Sequence, residues 1–190
     1  MASQTAASPT SAAPSPSPAT SAAETPFGGD VFDDPDNCTN EVAGYRLAFP
    51  DDWWVNTKYE DPEAGHIAAC RFFSPNEFDA YSITEPLGTP DGVAIAATFL
   101  RDGCFGSVNH VIHEEDRVWD GHQLTVREEA EGIQPGEAYA YSITINLGDS
   151  PCGSANSRQL QFRTSRALAG DYVENKEVLE AMMQTIQLVG

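Results

Sequence analysis

Residues 139–147 read Tyr-Ala-Tyr-Ser-Ile-Thr-Ile-Asn-Leu, and this stretch decides the fold class. Large apolar side chains alternate with small or polar ones, which is typical of a β-strand that packs on one face. Further strand patterns occur at residues 45–49, 67–73, 93–100, 124–126 and 160–162. Of these, residues 67–73 and 93–100 are apolar at both parities, which favours strands covered on both sides. The chain is therefore predicted to be dominated by β-sheet.

One helix is predicted near the end of the chain. Asp171 suits its N-cap, because Glu174 follows three residues later as in a capping box. An apolar stripe at helical spacing consists of Val178, Leu179, Met182, Met183 and Ile186. A helix with one apolar face has to pack on an apolar surface, so we expect it on the sheet. Residues 186–189 are expected to return as a short strand.

The composition limits the classes of partner. The chain has 190 residues, of which 41% are hydrophobic, and this is enough for one packed domain with a tail. Asp and Glu number 29 against 10 Lys and Arg, so the formal net charge is -19. Such a chain repels phosphate backbones and anionic lipids, which argues against nucleic acid as a partner. We also expect no direct membrane span, since no apolar run is long enough.

The first 29 residues are predicted to form a disordered tether ahead of a single domain at residues 30–190. Residues 1–26 contain eight Ala, six Ser, five Pro and four Thr, with Glu24 as their only charge. This composition cannot bury enough apolar surface to offset the entropy lost on ordering. We expect that an export signal preceded Met1 in the precursor and has been removed. A lipid-bearing cysteine at the end of that signal is the candidate anchor.

Four cysteines at wide spacings predict two disulfides: Cys38, Cys70, Cys104 and Cys152. No Cys-x-x-Cys pair is present, although such a pair is the usual mark of zinc or redox chemistry. A metal site that combines the cysteines with His110 or His113 is the alternative. Because disulfides form in oxidising compartments, we expect an exported protein. Three pairings of the four cysteines are open at this point.

Two segments carry a family resemblance. Residues 44–53 read Gly-Tyr-Arg-Leu-Ala-Phe-Pro-Asp-Asp-Trp, an aromatic strand followed by Pro, acidic residues and Trp. Residues 171–186 form the predicted closing helix, which leads into a short strand. Both segments resemble the start and the end of PsbP-like domains, a family that includes actinobacterial LpqN-type secreted lipoproteins.

The resemblance implies an α+β fold, with an antiparallel β-sheet flanked by helices in a PsbP-like sandwich. It implies an exported and often lipid-anchored protein that binds or stabilises partner proteins. The family has no active site that could be carried over to this sequence. Together with chain order, the resemblance favours the disulfide pairs Cys38 with Cys70 and Cys104 with Cys152.

Trp53 and Trp54 are the candidate partner contacts. Neighbouring residues in an extended chain point to opposite faces, so one indole should lie in the core and the other outside. An exposed Trp beside acidic loops suits recognition of a partner. The alternative is that both rings pack under a neighbouring loop.

No catalytic, cofactor-binding or metal-binding set is predicted. Ser150 follows a strand in what reads as a turn, and with His122 or His113 it would be the first suspect of a hydrolase. An acidic segment could supply oxygen ligands for weak calcium binding, although it lacks the spacing of a helix-loop-helix calcium site. Its members are Asp30, Asp33, Asp34, Asp36 and Glu41.

The leading hypothesis is a non-enzymatic binding or interaction domain, secreted or tethered to the cell surface. Its partner would be an envelope or extracellular protein or ligand of unknown identity, and no cofactor is expected. The first alternative is an extracellular hydrolase with catalytic residues borne on loops. The second is a calcium-responsive envelope module.

Overall fold

The computed structural model describes residues 32–61, 65–80, 89–106, 110–131, 138–148, 154–167 and 169–189. The tether predicted at residues 1–29 lies outside these ranges. The strands and the helix follow in the order β1 (Asp36–Asn40), β2 (Tyr45–Phe49), β3 (Trp54–Val55), β4 (Tyr59–Asp61), β5 (Gly65–Ile67), β6 (Phe72–Ser74), β7 (Ile95–Arg101), β8 (His110–Trp119), β9 (His122–Glu131), β10 (Ala138–Asn146), β11 (Arg158–Thr164), α1 (Ala169–Thr185) and β12 (Gln187–Leu188).

Seven strands form the main sheet in the order β3-β6-β7-β11-β10-β9-β8, and all neighbours are antiparallel. The strand predicted at residues 139–147 is confirmed as β10. Its Ile143 lies opposite Phe162 of β11 and Val126 of β9, and all three side chains are buried. The alternating apolar residues thus meet on one side of the sheet, which we call the inner face.

A small sheet and the helix cover the inner face. The small sheet has the order β1-β2-β12, so the short strand expected after the helix is confirmed as β12. Leu179, Met182 and Met183 of α1 are fully buried in the same core. Tyr45 of β2 packs edge-on against Phe162, with the ring centroids 5.1 Å apart. The core therefore lies between the main sheet and this second layer.

A disulfide joins Cys38 in β1 to Cys70, with the two Cα atoms 5.8 Å apart. Cys104 is also disulfide-bonded. Its expected partner, Cys152, lies outside the described residues. Each cysteine in the described part of the chain is therefore bonded, and none is free.

The apolar pattern of residues 67–73 predicted one continuous strand, and the structure corrects this prediction. β5 ends at Ile67 and β6 begins at Phe72, with Cys70 between them in a left-handed conformation, φ 61°. The Asn56 side chain closes this turn: its Nδ2 donates to the Ala68 carbonyl at 2.7 Å, and its Oδ1 accepts from the Phe72 amide at 2.8 Å. A distant polar residue therefore interrupts an otherwise apolar run.

The helix prediction needs two corrections. α1 begins at Ala169, so Asp171 lies in the first turn instead of at the N-cap. A carboxylate is favourable there as well, because it faces the positive end of the helix dipole. The expectation that several helices flank the sheet is overstated, since α1 is the single helix within the described ranges. The opposite face of the sheet is largely polar at β8 to β11, and at β6 and β7 a second apolar cluster that includes Phe72, Val93 and Ala96 is buried without a helix from the described residues.

β8 and β9 form a hairpin that ends the main sheet. Asp120 and Gly121 connect them with φ values of 47° and 79°, as a two-residue turn requires. Directly beside the turn, Trp119 lies opposite His122 in the antiparallel register. β8 was not predicted from the sequence. It is a largely exposed edge strand with a bulge between Val111 and His113.

Candidate functional site

The face of the main sheet opposite α1, here called the outer face, is built largely of polar side chains in β8 to β11. In β10, Thr144 lies next to Gln161 of β11 and Thr125 of β9, and Thr125 in turn lies opposite Asp116 of β8. Adjacent strands are about 4.8 Å apart, so these four side chains form a row across the sheet. Asn146, beside Gln159 of β11, belongs to a second row.

Apart from Gln161, the side chains of these rows form the floor of an open groove with a volume of about 390 Å³. Small-molecule sites commonly measure roughly 300–1,000 Å³, so the groove is at the lower end of that range. Its lining consists mostly of acids, amides and hydroxyls together with one arginine and one phenylalanine: Phe105, Glu114, Asp116, Gln123, Thr125, Arg127, Thr144, Asn146 and Gln159.

Arg127 organises one end of the groove. Its Nε donates to the Glu114 carboxylate on the neighbouring strand, and the two residues are directly opposite in the β8–β9 register. Its guanidinium also donates to the Phe105 carbonyl at 3.4 Å. The positive charge of Arg127 is therefore offset by Glu114, and the groove presents little net positive charge to a ligand.

The segment with Phe105 forms one wall of the groove and is fastened at several points. The Phe105 amide donates to Gln159 Oε1 at 2.9 Å. The Ser157 hydroxyl donates to the Gly103 carbonyl at 3.2 Å, and the neighbouring Cys104 is disulfide-bonded. This wall is thus fixed both covalently and by hydrogen bonds to β11.

Hydrogen bonds also hold side chains on the floor. The Thr125 hydroxyl donates to Asp116 Oδ1 at 2.9 Å. Gln161 Nε2 donates to the Thr144 hydroxyl oxygen at 3.1 Å, and both side chains are only 8% exposed. The polar groups of the floor therefore have defined positions before any ligand arrives.

The tryptophan pair separates as strand alternation predicts. Trp53 is 9% exposed and packs in the main core, whereas Trp54 is 50% exposed. Trp54 lies at the other end of the main sheet, where it lines a smaller pocket of about 170 Å³ together with Phe78 and Asn56. Contact with a partner at this place would fall to Trp54, because Trp53 is covered.

His113 and His122, the two histidines considered as partners of Ser150, lie far apart. His113 pairs with Glu128 and His122 with Trp119, so they are separated along the hairpin by roughly 20 Å at the usual strand rise. His122 Nδ1 lies 3.2 Å from the Asn146 carbonyl oxygen, a contact that fixes its ring at the hairpin end. Ser150, the suspected nucleophile, lies outside the described residues.

The acidic segment near the start of the domain shows no site for a cation. Asp33, Asp34, Asp36 and Glu41 belong to the described ranges, and Asp30 does not. Across the described ranges, no group of three or more His, Cys, Asp or Glu side chains is placed to hold a metal ion. The same ranges contain no helix with both the length and the apolar composition needed to cross a membrane.

Two tyrosines with strongly raised pKa values, Tyr45 and Tyr141, lie on the side of the inner face. Burial raises the pKa of the Tyr45 phenol, whose hydroxyl donates to the Cys70 carbonyl. Burial, and then the hydrogen bond to Glu180, raise the pKa of Tyr141; its hydroxyl donates to Glu180 of α1 at 2.8 Å. Both phenols stay protonated at neutral pH and fasten the covering layer to the sheet.

The groove is what sequence reasoning missed. The sequence feature that could have indicated the groove is a polar residue at every second position in four strands, as in Glu114 with Asp116 and Gln159 with Gln161. Each pair on its own looks like an ordinary solvated face. Only the strand order brings them side by side.

Comparison with known proteins gives a distant structural likeness. No protein-family model matches the chain, and no curated protein matches its sequence. Among solved structures, the chain is similar to the solution structure of cyanobacterial PsbP (CyanoP) from Synechocystis sp. PCC 6803. The alignment has a TM-score of 0.44 and 11% identity, and it covers 91% of this chain and 98% of the other.

Proposed function

We propose that this protein is a non-enzymatic binding domain that works outside the cytoplasm, and that its binding surface is the groove on the outer face. The observation that carries the proposal is the groove itself, an open and largely polar concavity on the sheet face that α1 leaves uncovered. A hydrogen bond from Thr125 to Asp116 and the ion pair of Arg127 with Glu114 hold side chains of this groove in place.

Export is supported by the bonded cysteines. Cys38 and Cys70 are joined, and Cys104 is bonded as well. Structural disulfides of this kind persist in oxidising compartments and are rare in the cytosol. A surface-tethered lipoprotein of the LpqN type fits these features and the composition of residues 1–29.

Non-enzymatic binding is the simpler reading of the groove chemistry. Its carboxylates are engaged, Glu114 by Arg127 and Asp116 by Thr125. A hydrolase would need a nucleophile, a base and an orienting group within hydrogen-bond reach. The hydrolase built on Ser150 with His113 or His122 is the competing proposal, and an activity screen addresses it.

The test is a capture experiment with matched variants of the full chain. Wild type, Asp116→Asn with Gln123→Ala, and Glu115→Gln are immobilised and exposed to cell-envelope extract at low and moderate salt. Glu115 lies on the same strand as Asp116 but at the other parity and outside the groove, so it controls for a change of charge. A component retained by wild type and Glu115→Gln, and lost with the groove variant, supports the proposal.

Two results would overturn it. Equal capture by all three proteins, or capture by none, removes the groove as the binding surface. A broad esterase, protease and glycosidase screen that finds turnover abolished by Ser150→Ala would replace it with the hydrolase. For the export part, four free thiols in denatured material from the native host would contradict the oxidising location. A melting temperature that rises with millimolar calcium and returns with chelator would favour the calcium-responsive module.

A further inference from the structure

We infer that the groove takes a short neutral saccharide. This inference rests on the proposed binding function and names its ligand class. It follows from three properties of the lining: the kind of polar groups, their net charge, and the aromatic side chain at the wall.

The polar groups suit hydroxyls. Amide side chains carry both donors and acceptors, and threonine hydroxyls do the same. Gln123, Asn146 and Gln159 supply the amides, and Thr125 and Thr144 supply the hydroxyls. A sugar hydroxyl also donates and accepts at once, so such a lining can satisfy several adjacent hydroxyls. The neighbouring strands, about 4.8 Å apart, spread these groups over the width of a sugar ring.

The charges of the groove disfavour an anionic ligand. Glu114 and Arg127 form an ion pair, which leaves Asp116 as the remaining carboxylate of the lining. An anionic ligand would meet Asp116 and the net charge of -19 on the chain. A cationic ligand would find one uncompensated carboxylate, Asp116, because Glu114 is paired with Arg127, and the trilysine comparator below tests that alternative. A carboxylate can accept several hydrogen bonds, so Asp116, which already accepts one from Thr125, remains a strong acceptor for a hydroxyl.

The aromatic ring completes the match. Phe105 lines the groove, and its backbone is fixed through Gln159 and Arg127 on two different strands. A rigid aromatic side chain offers a large apolar contact at low entropic cost. The C–H face of a sugar ring is the apolar surface that such a ring can cover, while the hydroxyls turn to the polar floor.

Amide NMR of the full chain provides the test. Maltotriose, cellotriose and chitotriose are titrated in turn, with trilysine and inorganic phosphate as charged comparators. We expect one neutral saccharide to shift amides of β9, β10 and residues 103–106, with a dissociation constant on the order of 1 mM. Asp116→Asn should weaken binding about tenfold through loss of charge-assisted hydrogen bonds. Phe105→Leu should weaken it roughly threefold to tenfold, and Glu115→Gln should leave it unchanged.

The outcomes separate the ligand class from the binding function. Groove shifts with trilysine or phosphate but with none of the saccharides overturn the saccharide and keep the groove as a binding site. Saccharide shifts centred on Trp54, or saccharide binding that ignores both groove variants, also overturn the inference. If no probe shifts the groove and envelope components bind equally to wild type and the groove variant, the proposed function fails as well. Dispersed spectra of each variant establish that it is folded.

Discussion

The two faces of the main sheet use the same strands for opposite purposes. On the inner face, Leu124, Ile143 and Phe162 are fully buried beneath α1 and the small sheet. On the outer face, Thr144 and Gln161 are almost as buried, at 8% exposed, although α1, the helix of the described residues, lies on the other side of the sheet. Buried polar side chains need hydrogen-bond partners, and here Gln161 Nε2 donates to the Thr144 hydroxyl oxygen. The difference shows that burial alone does not mark the hydrophobic core of this protein.

The largest expected effect comes from releasing the layer that covers the inner face. Replacing both Cys38 and Cys70 with Ser should lower the free energy of unfolding by about 4 kcal/mol, because the bridge closes a long loop in the unfolded chain. The bridge spans a sequence separation of 32 residues. Urea unfolding followed by tryptophan fluorescence measures the loss. A change below 1 kcal/mol would mean that the small sheet is held by packing alone.

Neighbouring residues on β9 give the most direct comparison of the faces. Leu124 is fully buried on the inner face, and Gln123 is an exposed residue of the outer groove. Leu124→Ala should cost about 3 kcal/mol, since it removes buried volume and leaves a cavity. Gln123→Ala should change stability by no more than about 0.5 kcal/mol. Equal losses in thermal unfolding would show that the two faces do not differ as described.

A smaller effect is expected at the Tyr45 hydroxyl. Tyr45→Phe removes the donor to the buried Cys70 carbonyl, which should cost about 1–2 kcal/mol at pH 7. Burial raises the pKa of Tyr45 in the folded state, so its contribution is fully present below the unfolded pKa, about 10, and declines as pH rises above it. From pH 7 to pH 11, the urea concentration at the midpoint of unfolding should therefore decrease less for Tyr45→Phe than for wild type. An identical fall would exclude Tyr45 as a source of the alkaline loss.

Sequence reasoning predicts the inner face well because that face is periodic. β2, β7, β9, β10 and β11 all carry alternating apolar residues, and α1 carries an apolar stripe, so packing imposes a readable pattern. β8 has no such pattern, since an edge strand exposed on both sides tolerates charge at either parity. The break between β5 and β6 depends on Asn56, which is distant in sequence and acts through its side chain.

The candidate site could not be predicted in the same way. Its residues come from β8, β9, β10, β11 and the segment at Phe105, and their proximity depends on a strand order that the sequence does not state. Sequence reasoning predicted one buried and one exposed ring for Trp53 and Trp54 without saying which, and Trp54 is the exposed one. That prediction needed only local alternation. Whether that ring touches a partner stays a prediction.

The exposed edge strand β8 bears on whether copies of this protein can associate through their sheets. An exposed edge strand offers unpaired backbone groups and can recruit the edge of another molecule. β8 carries Glu114, Glu115 and Asp116 in succession, and its bulge between Val111 and His113 interrupts the ladder. Two copies that met edge to edge would oppose carboxylates and lose register at the bulge. Stacking of copies into fibrils through this strand is therefore disfavoured, even at high protein concentration.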